Sequence, residues 1–201
     1  MGMAHPEPRF HTAEMVRALL VEDRAWPRYE TVHGELIVTP GPGHAHQWVT
    51  LEVAGELRTY LAREPVGVVL TSPADVSWGR QDVLVQPDVF VMPTAHARGA
   101  LGEEGWTAVR HLLLAVEIVS PSSARVDRFR KRRLYQSQGV PTYWVIDAQR
   151  GEAEVWTPDA ELPRVERERL AWHPEGAGEP FAFDLAGCLA RLGRLRAGGA
   201  G

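Results

Sequence analysis

Two acidic residues stand out because of their surroundings. Asp88 opens the run Asp88-Val89-Phe90-Val91, and Glu117 lies inside Ala115-Val116-Glu117-Ile118-Val119. A carboxylate in so apolar a run is costly to bury unless it is paired or holds a metal. Side chains alternate along a strand, so two adjacent strands can aim both carboxylates to one side. Two carboxylates plus a backbone carbonyl make a hard, oxygen-only set suited to Mg²⁺. The plainer reading keeps Asp88, next to Pro87, as a turn or strand-start residue and Glu117 as half of an ion pair.

The basic residues add a second clue. The chain has 21 Arg and a single Lys, Lys131. The plain reading is codon bias, a GC-rich genome writing Arg where others write Lys. A lone surviving Lys also fits a position where a compact ammonium cannot be replaced by a guanidinium. Aimed back at the two carboxylates, it would orient an attacking water and offset charge developing on a phosphoryl group. The alternative is a simple i,i+4 pair with Asp127, worth a few tenths of a kcal/mol. Arg125, Arg128, Arg130, Arg132 and Arg133 crowd the same stretch. Such a run is either a solvated helix face or a set of phosphate contacts, with Arg125, Arg128 and Arg132 as candidate DNA-binding residues.

Absences narrow the chemistry. There is no Gly-rich phosphate loop ending in Lys-Ser/Thr, no dinucleotide fingerprint, no paired-His zinc helix and no nucleophile elbow. The net charge of −4 does not fit a general nucleic-acid coating protein, but it leaves room for a local basic patch or an acidic metal site. One cysteine, Cys188, excludes an internal disulfide and fits a reducing, cytoplasmic setting. No apolar run is long enough for a transmembrane helix, and residues Met1–Arg9 show no secretory or myristoylation pattern.

The elements that must position these residues follow from periodicity and punctuation. A short helix is expected over Thr12–Leu20, capped by Thr12. Strands Arg28–Val32 and Glu35–Thr39 flank a tight turn at His33-Gly34, and Pro40-Gly41-Pro42-Gly43 stops the second. An amphipathic helix spans His44–Arg63. Strands are expected at Val66–Thr71, Asp75–Trp78, Val83–Val85 and Asp88–Met92, followed by a polar loop from Pro93 to about Val109. His111–Val119 reads as a strand buried on both faces. A helix follows, with caps offered by Ser120-Pro121-Ser122-Ser123 and a stop at Gly139. Then come a hairpin of Thr142–Asp147 with Glu152–Thr157, a strand around Val165–Trp172, and a strand or helix over Phe181–Arg191. This is one mixed α/β (α+β) domain over residues 1–196, with a Gly/Ala tail at 197–201. The tryptophans Trp48, Trp78, Trp144 and Trp156 read as core or interface aromatics.

Pro87-Asp88, Glu117-Ile118-Val119 and Lys131 together resemble the PD-(D/E)XK nuclease pattern. More closely, the chain resembles a large bacterial family of restriction-endonuclease-like proteins in that superfamily, catalogued as a domain of unknown function. The similarity runs from about residue 10 to 157. It is carried by Tyr29-Glu30, Gly34-Glu35-Leu36, His46-Gln47, Pro73, Asp75-Val76, Gln86-Pro87-Asp88-Val89, Val116 to Ser122, Asp127 to Lys131, Tyr135 to Pro141, Tyr143-Trp144 and Asp147. The resemblance implies a restriction-endonuclease-like core of mixed sheet flanked by helices, Mg²⁺ or Mn²⁺ dependence and phosphodiester hydrolysis. It makes Asp88 and Glu117 the metal ligands. Val119 stands where the superfamily's short motif has its lysine, a role that would fall to Lys131 on the next helix. Glu30 matches the extra acidic residue of some members. Glu35, Asp75 and His46 are further candidates, His46 as a base or ligand. His44 and His46, two apart on a helix, are not expected to share a metal.

The expected function is therefore a metal-dependent endonuclease acting on DNA, with a homodimer as the simplest way to cut two strands. On that reading Lys131→Ala and Asp88→Ala lose cleavage but keep the fold. A catalytically decayed nuclease fold serving as a DNA-binding or scaffold module is the alternative. A small-molecule phosphoesterase is a third.

Overall fold

The computed structural model describes residues 10–19, 27–100, 102, 109–120 and 123–197. The expected Pro121-Ser122 caps, the Leu20 end of the first helix, the Met1–Arg9 reading, most of the 101–109 loop and the end of the tail lie outside the described residues.

A six-stranded mixed sheet forms the centre. Its order is β3 (Gly67–Thr71), β4 (Val89–Pro93), β5 (Leu114–Ile118), β6 (Tyr143–Asp147), β7 (Glu152–Trp156) and β8 (Arg164–Glu166). Every neighbouring pair is antiparallel except β5 and β6, which run parallel across a helical crossover. Two hairpins stand outside the sheet: β1 (Arg28–Val32) with β2 (Glu35–Thr39), and β9 (Arg169–Trp172) with β10 (Phe181–Asp184). The helices are α1 (Ala13–Leu19), α2 (His44–Leu61), α3 (Thr94–Ala100), α4 (Arg132–Ser137) and α5 (Leu185–Ala197), with a π-helical turn at Val126–Lys131 leading into α4.

Sequence chemistry explains the joints. Met15 N–H donates to Thr12 Oγ1 at 3.2 Å, the cap that starts α1. The β1–β2 turn places His33 at φ 52° and Gly34 at φ 81°, as a two-residue hairpin turn with positive φ at both positions requires. A side chain at Gly34 would also strike the ring of Phe10. Gly139, at φ 65°, ends α4 with Val140 N–H returning to Tyr135 O.

The sheet separates two cores. Val89, Val91, Leu114, Val116, Trp144 and Ile146 pack toward α2, α5 and the β9–β10 hairpin. Phe90, Met92, Ala115, Tyr143 and Val145 pack toward α3, α4 and the β1–β2 hairpin. Strand β5 is buried on both faces, as its apolar run predicts. Its Leu114, Val116 and Ile118 together contribute on the order of 5–9 kcal/mol of burial, enough to carry one costly carboxylate, Glu117, on the same strand.

Four expectations change. Asp75–Trp78 and Val83–Val85 form only isolated bridges, Val76 to Val85 and Thr31 to Leu84, because Gly79 and the surrounding turns leave too few residues to extend a ladder. The segment after Pro93 begins as α3 rather than as loop, since Ala97 and Ala100 find a core to pack against. The Val165–Trp172 strand is split into β8 and β9, which join different sheets. The last segment is strand and helix in succession, β10 then α5. Trp48, Trp78, Trp144 and Trp156 lie in the core or pack against it, as expected, with Trp144 wholly buried.

Candidate active site

Five elements converge on one cavity beside β4 and β5. Strand β1 supplies Arg28 and Glu30, two residues apart and both turned inward. The first turn of α2 supplies His46. Asp88 stands just before β4 and continues its antiparallel register, opposite Glu117 of β5. The π-helical turn supplies Asp127 and Lys131. Thr39, Pro40, Gly41 and Pro42 form the rim.

The π-helical turn was not expected; the punctuation predicts an ordinary helix. Arg132 N–H reaches back five residues to Asp127 O, which also accepts Tyr143 Oη at 3.0 Å. Such widened turns recur at functional sites. Here the turn buries Asp127 and Lys131 while Phe129 and Arg130 stay outside.

Lys131 lies at the centre of an acidic cluster. Its Nζ is 2.9 Å from Glu30 Oε1, 3.1 Å from Glu117 Oε1 and 3.6 Å from Asp127 Oδ1. The i,i+4 pair with Asp127 is therefore present but longest of the three. Glu117 Oε1 also accepts Tyr135 Oη at 3.0 Å. Glu30 Oε1 accepts Gln86 N–H at 2.7 Å, while Glu30 Oε2 is buried with no hydrogen-bond partner. The ammonium does not pair with Asp88, as a lysine facing both strand carboxylates would. Arg28 takes that place: its Nη1 donates to Asp88 Oδ1 at 3.1 Å. Asp88 Oδ2 accepts Ile118 N–H at 2.9 Å and stands 2.9 Å from His46 Nε2.

The charges are unbalanced. Glu30, Asp88, Glu117 and Asp127 are four buried carboxylates facing two permanent cations, Arg28 and Lys131. Counting all four carboxylates as ionised against these two cations leaves two negative charges in surplus. Burial resists ionisation of Asp88, but the His46 hydrogen bond and the charges of His46, Arg28 and Lys131 outweigh it and hold its pKa down at about 2. An ionised Asp88 is acceptor-only, so His46 Nε2 carries the hydrogen between them. Burial pushes Glu117 well above the usual carboxylate range; Lys131 pulls it down, but Asp88, Asp127 and Glu30 add to the rise. Burial likewise lifts Asp127 to about 6. The surrounding carboxylates hold Lys131 above its ordinary pKa despite burial, so its ammonium stays charged.

This donor set fits a hard divalent cation. Glu30 Oε2 is orphaned, and Glu117 Oε2 accepts no hydrogen bond among the described residues. A divalent ion would neutralise the surplus of two charges. Among the described residues no three His, Cys, Asp or Glu side chains are grouped so as to hold an ion by themselves. Mg²⁺ does not require this: it commonly uses one or two carboxylates and completes its shell with water and phosphate. The enclosed volume, about 40 Å³, admits an ion or a few waters and not a nucleotide.

Other sequence candidates fall elsewhere. Glu35 is exposed and pairs with Arg130 at 2.7 Å. Asp75 accepts Gln86 Nε2 at 2.8 Å and Arg17 Nε at 3.2 Å, one step behind the Gln86 N–H that holds Glu30. Arg128 is not available for phosphate: it bonds Asp147 at 2.9 Å and Glu154 at 2.6 Å. Arg132 bonds Gln136 at 2.8 Å and lies over the Trp156 ring at 4.6 Å. Arg125 remains exposed. Arg28 and Tyr135 were not singled out from sequence. Arg28 carries a signal, its i,i+2 spacing from Glu30 on one strand; Tyr135 carries one in its i,i+4 spacing from Lys131.

Comparisons with known proteins agree with this architecture. The chain is similar to "a putative nuclease belonging to DUF820" from Anabaena variabilis ATCC 29413, whose crystal structure superposes with a TM-score of 0.67 at 21% identity over 87% of this chain and 98% of the other. At that identity the match shows the fold. No curated protein matches. The model of the family Uma2, described as "Putative restriction endonuclease", matches residues 13–185, which include every residue lining the cavity, and the chain belongs to that family.

Proposed function

We propose that the protein is a Mg²⁺- or Mn²⁺-dependent endonuclease that hydrolyses DNA phosphodiester bonds. The observation that carries this reading is the surplus of buried carboxylates around one charged lysine in a cavity of ionic size. Asp88 and Glu117 would hold the ion, with Glu30 Oε2 as a further oxygen. When bound, the ion supplies positive charge against the scissile phosphate and makes water a better nucleophile.

The protein's own groups have separate tasks. Lys131 keeps its proton, so it acts as a fixed cation and hydrogen-bond donor toward the attacking water or the phosphoryl oxygens, not as a base. Arg28 and His46 hold Asp88 ionised and fix its orientation. Tyr135 and Lys131 together fix Glu117 Oε1 and leave Oε2 free. A homodimer would present two such cavities to the two strands of a duplex.

One observation favours the second reading, a DNA-binding module on a decayed nuclease fold. Both strand carboxylates already have protein cations as partners. Nicking of supercoiled plasmid with Mg²⁺, Mn²⁺ or EDTA separates the two. Metal-dependent nicking by the wild type that Glu117→Gln abolishes is the expected result. Folded wild type that binds DNA but nicks with neither metal leaves the binding module standing.

A further inference from the structure

An open surface depression of about 470 Å³ lies on the outer face of the helical segment that carries Lys131. Arg125, Val126, Phe129, Arg130 and Arg133 line it. Phe129 is 55% exposed, an unusual place for a phenylalanine beside three guanidinium groups. Neither Arg125 nor Arg133 forms an ion pair or hydrogen bond among the described residues, and Arg130 holds only the exposed Glu35. In a chain of net charge −4, this concentration of positive charge is local.

We propose that this groove binds one unpaired nucleotide of a nucleic-acid strand, stacking its base on Phe129 and holding its flanking phosphates with Arg125 and Arg133. This rests on the nuclease reading and names the form of its substrate: a strand with an unstacked base. The chemistry commits to this occupant. An aromatic face takes any base and arginines take phosphate. A paired, stacked duplex offers no base face for Phe129. Asp127 and Lys131 turn inward from the same turn that turns Phe129 outward, so a strand held here is anchored to the element that positions the lysine.

Fluorescence anisotropy in EDTA, with a labelled oligothymidine and a duplex of equal length, tests this without cleavage. Phe129→Ala should weaken single-strand binding roughly five- to hundredfold and change duplex binding less than about twofold. Phe129→Trp should restore single-strand affinity and Phe129→Leu should not. Arg125→Ala/Arg133→Ala should lower the single-strand salt slope by about 1.4, roughly 0.7 per phosphate contact. Wild type without single-strand affinity, or Phe129→Ala that binds both probes as the wild type does, overturns the proposal. So does a changed oligomeric state with unchanged DNA affinity, which would make this face a contact between copies of the chain. Selective single-strand binding by a protein that nicks no DNA with either metal would leave the groove in place and remove the nuclease.

Discussion

Lys131 Nζ sits 2.9 Å from Glu30 Oε1, joining the first hairpin to the crossover between the two parallel strands. Both side chains are almost wholly buried. Removing one partner of a buried pair leaves the other charge uncompensated, at a cost of about 3–5 kcal/mol. Lys131→Ala strands three carboxylates at once, so it should be less stable by at least that amount in urea denaturation, with an unchanged m-value. Lys131→Ala with wild-type stability would contradict the buried network.

Glu117→Gln is the cleaner probe of chemistry. Burial and the neighbouring acids already disfavour charge on Glu117, so a neutral isostere costs the resting fold little. Its melting temperature should match or exceed the wild type, while nicking falls by at least about a hundredfold, the scale of losing one transition-state stabiliser. Asp88→Asn should differ. The native pKa of about 2, against 3.8 in the unfolded chain, corresponds to about 2 kcal/mol lost with the charge. Equal stability of the two variants would show that Arg28 and His46 do not hold Asp88 as described.

Stability should fall as pH rises across the mildly acidic range. Asp127 has a folded pKa of about 6 and an ordinary value of 3.8, so between these the folded protein retains a proton that the unfolded chain has lost. Its contribution is complete below pH 3.8 and gone above pH 6, about 3 kcal/mol in total. Glu117 acts in the same direction. Asp88 opposes them only at lower pH, its contribution disappearing between 3.8 and 2. Thermal melts in EDTA should show greater stability at pH 5 than at pH 8. Mg²⁺ should raise the melting temperature more at pH 8, where the surplus charge is unprotonated. A Mg²⁺ effect as large at pH 5 as at pH 8 would argue that these carboxylates do not receive the ion.

The sequence made much of this site legible because its signals are local. Glu117 in an apolar run and Asp88 at a strand start needed only the cost of burying charge to attract notice. The β1–β2 hairpin was readable because His33-Gly34 demands one turn type. What escaped depended on tertiary placement. The widened turn at Val126–Lys131 has no signature in periodicity; it follows from Tyr143 and the acidic cluster claiming groups on the same segment. α3 followed from a core waiting beneath Ala97 and Ala100. Sequence also could not sort the arginines. Five arginines, from 125 to 133, divide into structural and free ones only when Asp147, Glu154 and Trp156 arrive from β6 and β7.

That division gives the last prediction. Arg128 donates to both Asp147 and Glu154 and is mostly buried, so Arg128→Ala leaves two carboxylates short of their donor. Hydrogen bonds to charged groups contribute about 1.5–3 kcal/mol each, and solvent at this partly exposed site reduces their sum. A loss of about 2 kcal/mol is expected, with single-strand affinity and its salt slope unchanged. Arg125→Ala should do the reverse, binding more weakly with unaltered stability, because Arg125 is exposed and pairs with nothing among the described residues. Denaturation and anisotropy on the two variants, run side by side, check both halves. A lower salt slope for Arg128→Ala would mean that this arginine leaves its carboxylates for phosphate, and that the strand contacts β6 and β7 as well as the outer groove.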